Sequence, residues 1–316
     1  MNNLVIITGP TAVGKTEISI ELAKAINGEI ISADSIQVYK YMDIGSAKIK
    51  KEEMQGIKHY LIDEFEPDDE FNVNVFQKLT KKYINEIYEK GKTPIIVGGT
   101  GFYIQSVLYD IDFDETEDNH EYRKTLEQIY KDKGAQYLYN MLKEVDEESA
   151  KAIHYNNVKR VIRALEYNHQ TGKKISDHNK EQREHASPYN FKYFVLNDKR
   201  ELLYSRINKR VDLMIKEGLV DEVKSLLDKG YDRNLVSMQG IGYKEMIEYL
   251  EGKMSLEEAV ELIKKNTRHF AKRQLTWFRR EKTITMVNWG EYDYDKNKLL
   301  ACMLKDLREI NIIKDK

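Results

Sequence analysis

Leu4-Val5-Ile6-Ile7-Thr8 runs directly into Gly9-Pro10-Thr11-Ala12-Val13-Gly14-Lys15-Thr16, and Glu17 to Asn27 follows with Ile18, Ile20, Leu22, Ala23 and Ile26 at helical spacing. The order of strand, glycine turn and helix decides the fold. The octet matches G-x-x-x-x-G-K-[ST], whose glycines permit backbone turns that a side chain blocks. The loop N–H groups then converge on a phosphate chain at a helix N-terminus, Lys15 adds a point charge, and Thr16 offers a hydroxyl to Mg²⁺. Gly9, Pro10, Thr11, Ala12, Val13, Gly14, Lys15 and Thr16 are therefore expected to bind a diphosphate or triphosphate.

Outward from that loop, Glu29 to Ala33 reads as a second strand and Tyr60 to Ile62 as a short third. Val75 to Glu89 reads as a helix, and Pro94 to Val97 as a buried strand closed by Gly98-Gly99. Strands alternating with helices imply parallel pairing through crossovers. From 113 to 189 the strand signal vanishes. Glu121 to Leu142 reads as helical with a break near Gly134, and Ala150 to Gln170 as one helix stopped at Gly172. Tyr193 to Leu196 returns to the sheet. Helices are expected at 200–217, 219–229, 243–250, 255–281 and 296–310, with a strand from Ile284 to Val287. The expected fold is α/β: a P-loop NTPase-like core with a parallel sheet flanked by helices, spanning 1–112 and 190–316, plus a helical insertion domain at 113–189.

The chain has 316 residues and a formal net charge of -2. No apolar run is long enough to span a membrane, which needs about 18 residues, and no basic segment precedes the first strand, so no secretion signal is expected. A single cysteine, Cys302, excludes internal disulfides and suits a reducing cytoplasm. A monomer is expected. The total charge argues against a uniformly basic nucleic-acid binder, but the charges are segregated. Asp110 to Glu121 holds seven acids and no base, which suits an entry linker to the insertion. Lys264 to Lys282 holds eight bases and one acid, interleaved with His269, Phe270, Trp277 and Phe278. Bases among aromatics suit unpaired RNA, although the same pattern also fits a solvated amphipathic helix.

Asp34 follows the second strand at the edge where open α/β sheets bind ligands. A carboxylate there can take a proton from a nucleophile or hold Mg²⁺ through water, or it can cap a turn. The amide of Gln37 can donate and accept at a base edge. Thr100 offers a hydroxyl after the Pro94 to Val97 strand, where an ATPase usually carries an acid. The only comparable acid is Asp63. At this stage a small-molecule kinase and a transferase that releases pyrophosphate both fit.

Longer strings narrow the choice: GPTAVGKT at 9–16, ADSIQVYKYMDIGSAK at 33–48, HYLID at 59–63, VGGTGFY at 97–103, NVKRVIRALE at 157–166, QGIGYKE at 239–245 and TRHFAKRQLTWF at 267–278. In this order and spacing they resemble the bacterial tRNA dimethylallyltransferases, or tRNA isopentenyltransferases. The departures are Ser46, where the family often has Thr, and Ile57-Lys58-His59, where it commonly has Pro-His-His. The resemblance implies transfer of a dimethylallyl group from dimethylallyl diphosphate to N6 of the adenine just 3′ of the anticodon, in tRNAs reading codons that begin with U. It implies that Thr11 to Thr16 bind the diphosphate, with Mg²⁺ near Thr16, and that Asp34 is the general base. Ser35, Ile36 and Gln37 would fix the base, and Thr100 would meet the bridging oxygen region. Arg206, with Arg210 as the alternative, would add charge. The tRNA contacts implied are Lys159, Arg160, Val161, Ile162 and Arg163; Gln239, Gly240, Ile241, Gly242, Tyr243 and Lys244; Lys272, Arg273, Gln274, Trp277 and Arg279; and Arg123.

Overall fold

The computed structural model describes residues 2–113, 120–182, 184–281 and 283–314. The strands are β1 (Asn2–Thr8), β2 (Gly28–Ala33), β3 (His59–Tyr60), β4 (Thr93–Gly98), β5 (Tyr189–Asn197) and β6 (Ile284–Asn288). They form one sheet in the order β3-β2-β4-β1-β5-β6, and every pairing is parallel. The inner strands are apolar along their length because both faces are covered. Leu4 to Ile7, Ile95 and Ile96 are fully buried.

The helices are α1 (Lys15–Ala25), α2 (Val73–Glu89), α3 (Gly101–Leu108), α4 (His120–Val145), α5 (Glu147–Ala152), α6 (Val158–Thr171), α7 (Ile175–Gln182), α8 (Arg200–Lys216), α9 (Leu219–Asp228), α10 (Tyr243–Leu250), α11 (Leu256–Phe278) and α12 (Lys296–Glu309). On one side of the sheet, Ile18 and Leu22 of α1 join Leu299, Met303 and Leu307 of α12 and Val5, Ile7 and Ile95 in a single core.

The chain divides into two compact units, Met1–Leu108 with Pro188–Lys316, and Tyr109–Ser187. The second unit is helical. Leu126, Leu138 and Leu142 of α4 pack with Val161, Ile162 and Leu165 of α6. Asp146 ties its ends together, accepting from Ser149 N–H at 2.9 Å and from Ser176 N–H at 3.0 Å. The expected break in α4 falls at Gly134, which leaves helical geometry at φ 80°.

Other expectations are corrected. The single helix over 150–170 is two, because Ile153 is extended and Asn157 starts a new helix. The third strand stops at Tyr60 because Leu61 and Asp63 turn into left-handed backbone. Helices α3 and α7 escape the periodicity argument, since each has only eight residues. Residues 114–119 of the acidic stretch read as an entry linker, and Lys282 of the basic run, lie outside the described residues.

Candidate active site

Three strand ends build the site. Thr8, Gly98 and Ala33 lie side by side in register, so Gly9, Gly99 and Asp34 leave the sheet from adjacent positions. This is the carboxyl edge of the strands, where an open parallel sheet presents helix N-termini and loop N–H groups.

The loop after β1 is held on three sides. Gly9 takes φ 143°, and a Cβ there would lie 2.3 Å from the Leu196 carbonyl oxygen, so only glycine fits. Ala12 packs on Ile207 of α8 and Ala271 of α11. The Trp289 indole N–H donates to the Val13 carbonyl at 2.7 Å. The Thr11 N–H donates to Gln274 Oε1 at 2.9 Å. Lys15 curls over the loop and donates to the carbonyls of Gly9 at 3.0 Å and Pro10 at 2.9 Å. Crowding by surrounding protein lowers Lys15 to about 8, the Arg210 guanidinium pushes the same way, and the Asp34 carboxylate opposes both. Lys15, Arg210 and Asp34 therefore share one electrostatic neighbourhood.

That neighbourhood separates the two candidate arginines. Arg206 forms an ion pair with Asp198 at 2.8 Å, and the same carboxylate takes the Tyr294 hydroxyl at 3.1 Å. The charge of Arg206 is thus met by a buried acid, while that of Arg210 reaches Lys15. Of the two candidates, Arg210 is the one whose charge is felt at Lys15.

Asp34 is half-buried. Its Oδ1 accepts N–H bonds from Ile36 at 2.9 Å and Gln37 at 3.2 Å. One oxygen therefore holds the turn, and Oδ2 has no hydrogen bond among the described residues. The turn thus occupies one oxygen of the carboxylate and leaves the other open to a ligand. Gln37 uses its Nε2 internally, donating to the carbonyls of Ser46 at 3.2 Å and Ala47 at 3.3 Å. Its Oε1 remains the group suited to a base edge. Thr100 starts α3 through its carbonyl, which accepts from Tyr103 and Ile104. Its hydroxyl has no partner among the described residues. Asp63 is paired with the buried Lys48 and is not the acid that hydrolysis would need beyond β4.

The RNA-facing expectations sort by exposure. On α11 and just past its end the bases Lys265, Lys272, Arg273, Arg279 and Arg280 are exposed, whereas Ala259, Ile263, Ala271, Gln274 and Phe278 of the helix are buried. Gln274 is 5% exposed and both its amide atoms bond within the chain. Trp277 is half-buried and packs edge-on to Phe102. Tyr243 is fully buried and donates its hydroxyl to Glu222 at 2.7 Å, and Gly242 is buried beside it. Gln239 is exposed, and Gly240, Ile241 and Lys244 are partly so. Within the helical unit Lys159, Arg160 and Arg163 are exposed, while Val161 and Ile162 are core. Arg123 grips the buried Glu166 with two bonds of 2.7 and 2.6 Å. Tyr243, Val161 and Ile162 are buried side chains of the core, Gly242 is buried beside Tyr243, and Gln274 spends its amide on bonds within the chain.

Sequence reasoning missed Glu222 and Trp289. Glu222 reaches from α9 to accept the N–H groups of Asp43 at 2.9 Å, Ile44 at 2.7 Å and Gly45 at 3.0 Å. It fixes the loop that in turn holds Gln37. Its partners lie almost 180 residues away in sequence, so no local pattern announces it.

The fold and this edge define an α/β phosphate-binding protein with a carboxylate poised beside the phosphate loop. The IPP transferase family model matches residues 37–281. A tRNA dimethylallyltransferase of Lachnoclostridium phytofermentans is 60% identical over 99% of this chain and 100% of its own length, and one of Acetivibrio thermocellus is 55% identical over 94% and 95%. Among solved structures, the full-length tRNA isopentenylpyrophosphate transferase of Bacillus halodurans is 44% identical, with TM-score 0.74 and 98% of both chains covered. A eukaryotic dimethylallyltransferase described as acting on tRNA is 30% identical, with TM-score 0.83, covering 100% of this chain and 82% of that one. The chain belongs to the IPP transferase family.

Proposed function

We propose that this chain moves the dimethylallyl group of dimethylallyl diphosphate onto N6 of the adenine just 3′ of the anticodon, in tRNAs that read codons beginning with U. Family membership makes it an enzyme that transfers a dimethylallyl group to tRNA. The donor, the position modified, the residues responsible and a cytoplasmic location are the proposal. The observation that carries it is the free oxygen of Asp34 in the same electrostatic neighbourhood as Lys15 and the phosphate loop.

The N6 lone pair attacks the allylic carbon, the bond from that carbon to the diphosphate oxygen breaks, and pyrophosphate leaves. The displaced N6 proton passes to Asp34 Oδ2. Such general base help is typically worth about 10²–10⁴-fold. The N–H groups of the loop, Lys15 and Arg210 bind the charge that grows on the leaving group, and Thr100 Oγ1 hydrogen-bonds near its bridging oxygen. Gln37 Oε1 and the backbone of Ser35 and Ile36 hold the adenine. The anticodon loop is unpaired already, so turning one base out costs less than opening a duplex. The backbone of the RNA lies on Lys272, Arg273 and Arg279, with Lys159, Arg160 and Arg163 of the helical unit as further phosphate contacts.

Mg²⁺ fits the donors present. Thr16 is exposed, its hydroxyl has no partner among the described residues, and it borders a small cavity of about 40 Å³ that Ser32, Gln37 and His59 also line, which is room for ordered water. No cluster of three acidic, His or Cys ligands occurs among the described residues. Thr16 would hold such an ion through its hydroxyl, with the diphosphate supplying further oxygen donors. When bound, it neutralises diphosphate charge.

The test is incubation with dimethylallyl diphosphate, Mg²⁺ and unmodified tRNA, followed by nucleoside mass analysis. N6-dimethylallyl-adenosine and pyrophosphate are expected. Failure with every tRNA tried, or release of ADP from ATP with a small acceptor, would overturn the reading.

A further inference from the structure

One buried amide joins the two loops of the site. Gln274 Oε1 accepts the Thr11 N–H at 2.9 Å, and its Nε2 donates to the Gly99 carbonyl at 3.0 Å. The partners fix the orientation of the amide, since an N–H requires the oxygen and a carbonyl requires the nitrogen. Gln274 is 263 residues from Thr11 and 175 from Gly99. It stands on α11, directly after the exposed pair Lys272-Arg273. The surrounding residues leave room for this bridge. An added Cβ on Gly99 would come 2.1 Å from Gln274 Nε2, and one on Gly101 would come 2.2 Å from the Trp277 ring. Both glycines let the β4 exit approach α11 closely enough for the bond to form.

The bridge settles which N–H groups face a ligand. The Thr11 N–H is spent on Gln274, so the phosphate-facing N–H groups are those further along the loop toward Lys15. The other arm holds the peptide immediately before Thr100, whose hydroxyl is otherwise unpartnered. Neither a carboxylate nor a hydrocarbon can satisfy both partners. Glutamate would keep the bond from Thr11 but set its second oxygen against the Gly99 carbonyl. Leucine would leave a buried donor and a buried acceptor unpaired.

We infer that Gln274 is a positioning residue for the diphosphate, holding the phosphate loop and the Thr100 loop in register, and is not an RNA contact. The inference deepens the proposed function and rests on that reading. It also means that the helix whose exposed face carries the bases grips the donor site with its buried face.

The experiment pairs Gln274→Leu and Gln274→Glu with Gly99→Ala, which displaces the same amide without altering Gln274. Magnesium pyrophosphate binding is measured by calorimetry, tRNA binding by filter retention, and KM for dimethylallyl diphosphate and kcat in turnover, with melting temperature recorded for each variant. Magnesium pyrophosphate affinity is expected to fall by about 10-fold or more in Gln274→Leu and Gly99→Ala, as expected for unpaired buried groups, and further in Gln274→Glu. KM should rise with it, while tRNA affinity stays within about 3-fold in the folded variants. Combining Gln274→Leu with Gly99→Ala should cost little more than either alone, because both remove one bridge. Loss of tRNA affinity with unchanged pyrophosphate binding would overturn the inference, as would pyrophosphate binding within about 2-fold of wild type in Gly99→Ala and both Gln274 variants. Wild-type protein that binds no magnesium pyrophosphate would instead overturn the proposed function itself.

Discussion

Asp34 serves two purposes, and replacing it by Asn and by Ala separates them. Asn keeps an Oδ1 that can accept from the N–H groups of Ile36 and Gln37, which now lie 2.9 and 3.2 Å away. It replaces the free Oδ2 by an NH₂ group that can donate but cannot take a proton. Asp34→Asn should therefore leave the turn, Gln37 and tRNA affinity nearly intact. Turnover should fall by about 10²–10⁴-fold, the usual worth of a general base, which is about 3–5 kcal/mol of barrier. Asp34→Ala removes the acceptor as well. It should lose the same turnover plus about 1 kcal/mol of local stability, the typical cost of deleting a side-chain cap. The assay is single-turnover transfer to a saturating tRNA, with tRNA binding and urea unfolding measured alongside. If Asp34→Asn turns over within about 3-fold of wild type, proton acceptance at Oδ2 is refuted. If tRNA affinity collapses in Asp34→Asn while turnover at saturation holds, Asp34 is a base-binding group and the acceptor must be sought elsewhere.

Lys15 sits at about 8 in the free protein, so diphosphate binding, which needs the charged form, should take up a proton above that pH. Calorimetry of magnesium pyrophosphate at pH 9 in two buffers of different ionisation enthalpy should show uptake that is lost in Lys15→Met. The same group binds fewer protons folded than unfolded between about 8 and 10.5, so its contribution to stability rises with pH across that window. Replacing both Lys272 and Arg273 by Ala should weaken tRNA binding and reduce the slope of log affinity against log salt by about 1.4, the value for two single-strand phosphate contacts. An unchanged slope would show that these bases face only solvent. Glu29, far from the site, should matter to stability alone. Burial would raise it, but hydrogen bonds from Lys92, Lys90 and Tyr60 outweigh that and hold it at about 2. Its stabilisation, at most about 3 kcal/mol, is present above about 4.5 and is lost as pH falls through 2. Glu29→Gln should unfold at lower urea than wild type at pH 7, and the gap should close toward pH 2.

How legible this site was depended on sequence separation. The loop from Gly9 to Thr16 and the turn at Asp34 are local constructions, visible because a short string contains every group that forms them. The parallel sheet was legible as apolar runs between turns, and α6, α8 and α9 as periodic stripes. Eight-residue α3 carries too few turns for a period, and the break at Ile153 has no glycine or proline to mark it. Bonds that cross the chain were invisible: Glu222 to the N–H groups of 43–45, and Trp289 to the Val13 carbonyl. Motif strings also name residues without saying which way they point. Val161 and Ile162 share a string with Lys159, Arg160 and Arg163, yet three point out and two pack inward, because a helix turns about 100° per residue.

The same geometry resolves the charge paradox. A total of -2 argues against a polyanion partner only if charge is spread evenly. Along α11 and just past its C-terminus it is concentrated: Lys265, Lys272, Arg273, Arg279 and Arg280 are exposed, and Lys272 and Arg273 carry no ion pair among the described residues. The opposite side holds Ala271 against Ala12 and Gln274 against Thr11 and Gly99. A helix that bears cations on one face and touches the phosphate loop with the other must satisfy two constraints with one set of backbone coordinates. A shift of the helix by even an ångström to follow RNA phosphates would stretch the bonds of Gln274, whose hydrogen-bond geometry weakens steeply with misalignment. The donor site and the RNA face are therefore built on one helix, with the buried Gln274 serving the first and the exposed Lys272 and Arg273 offered to the second.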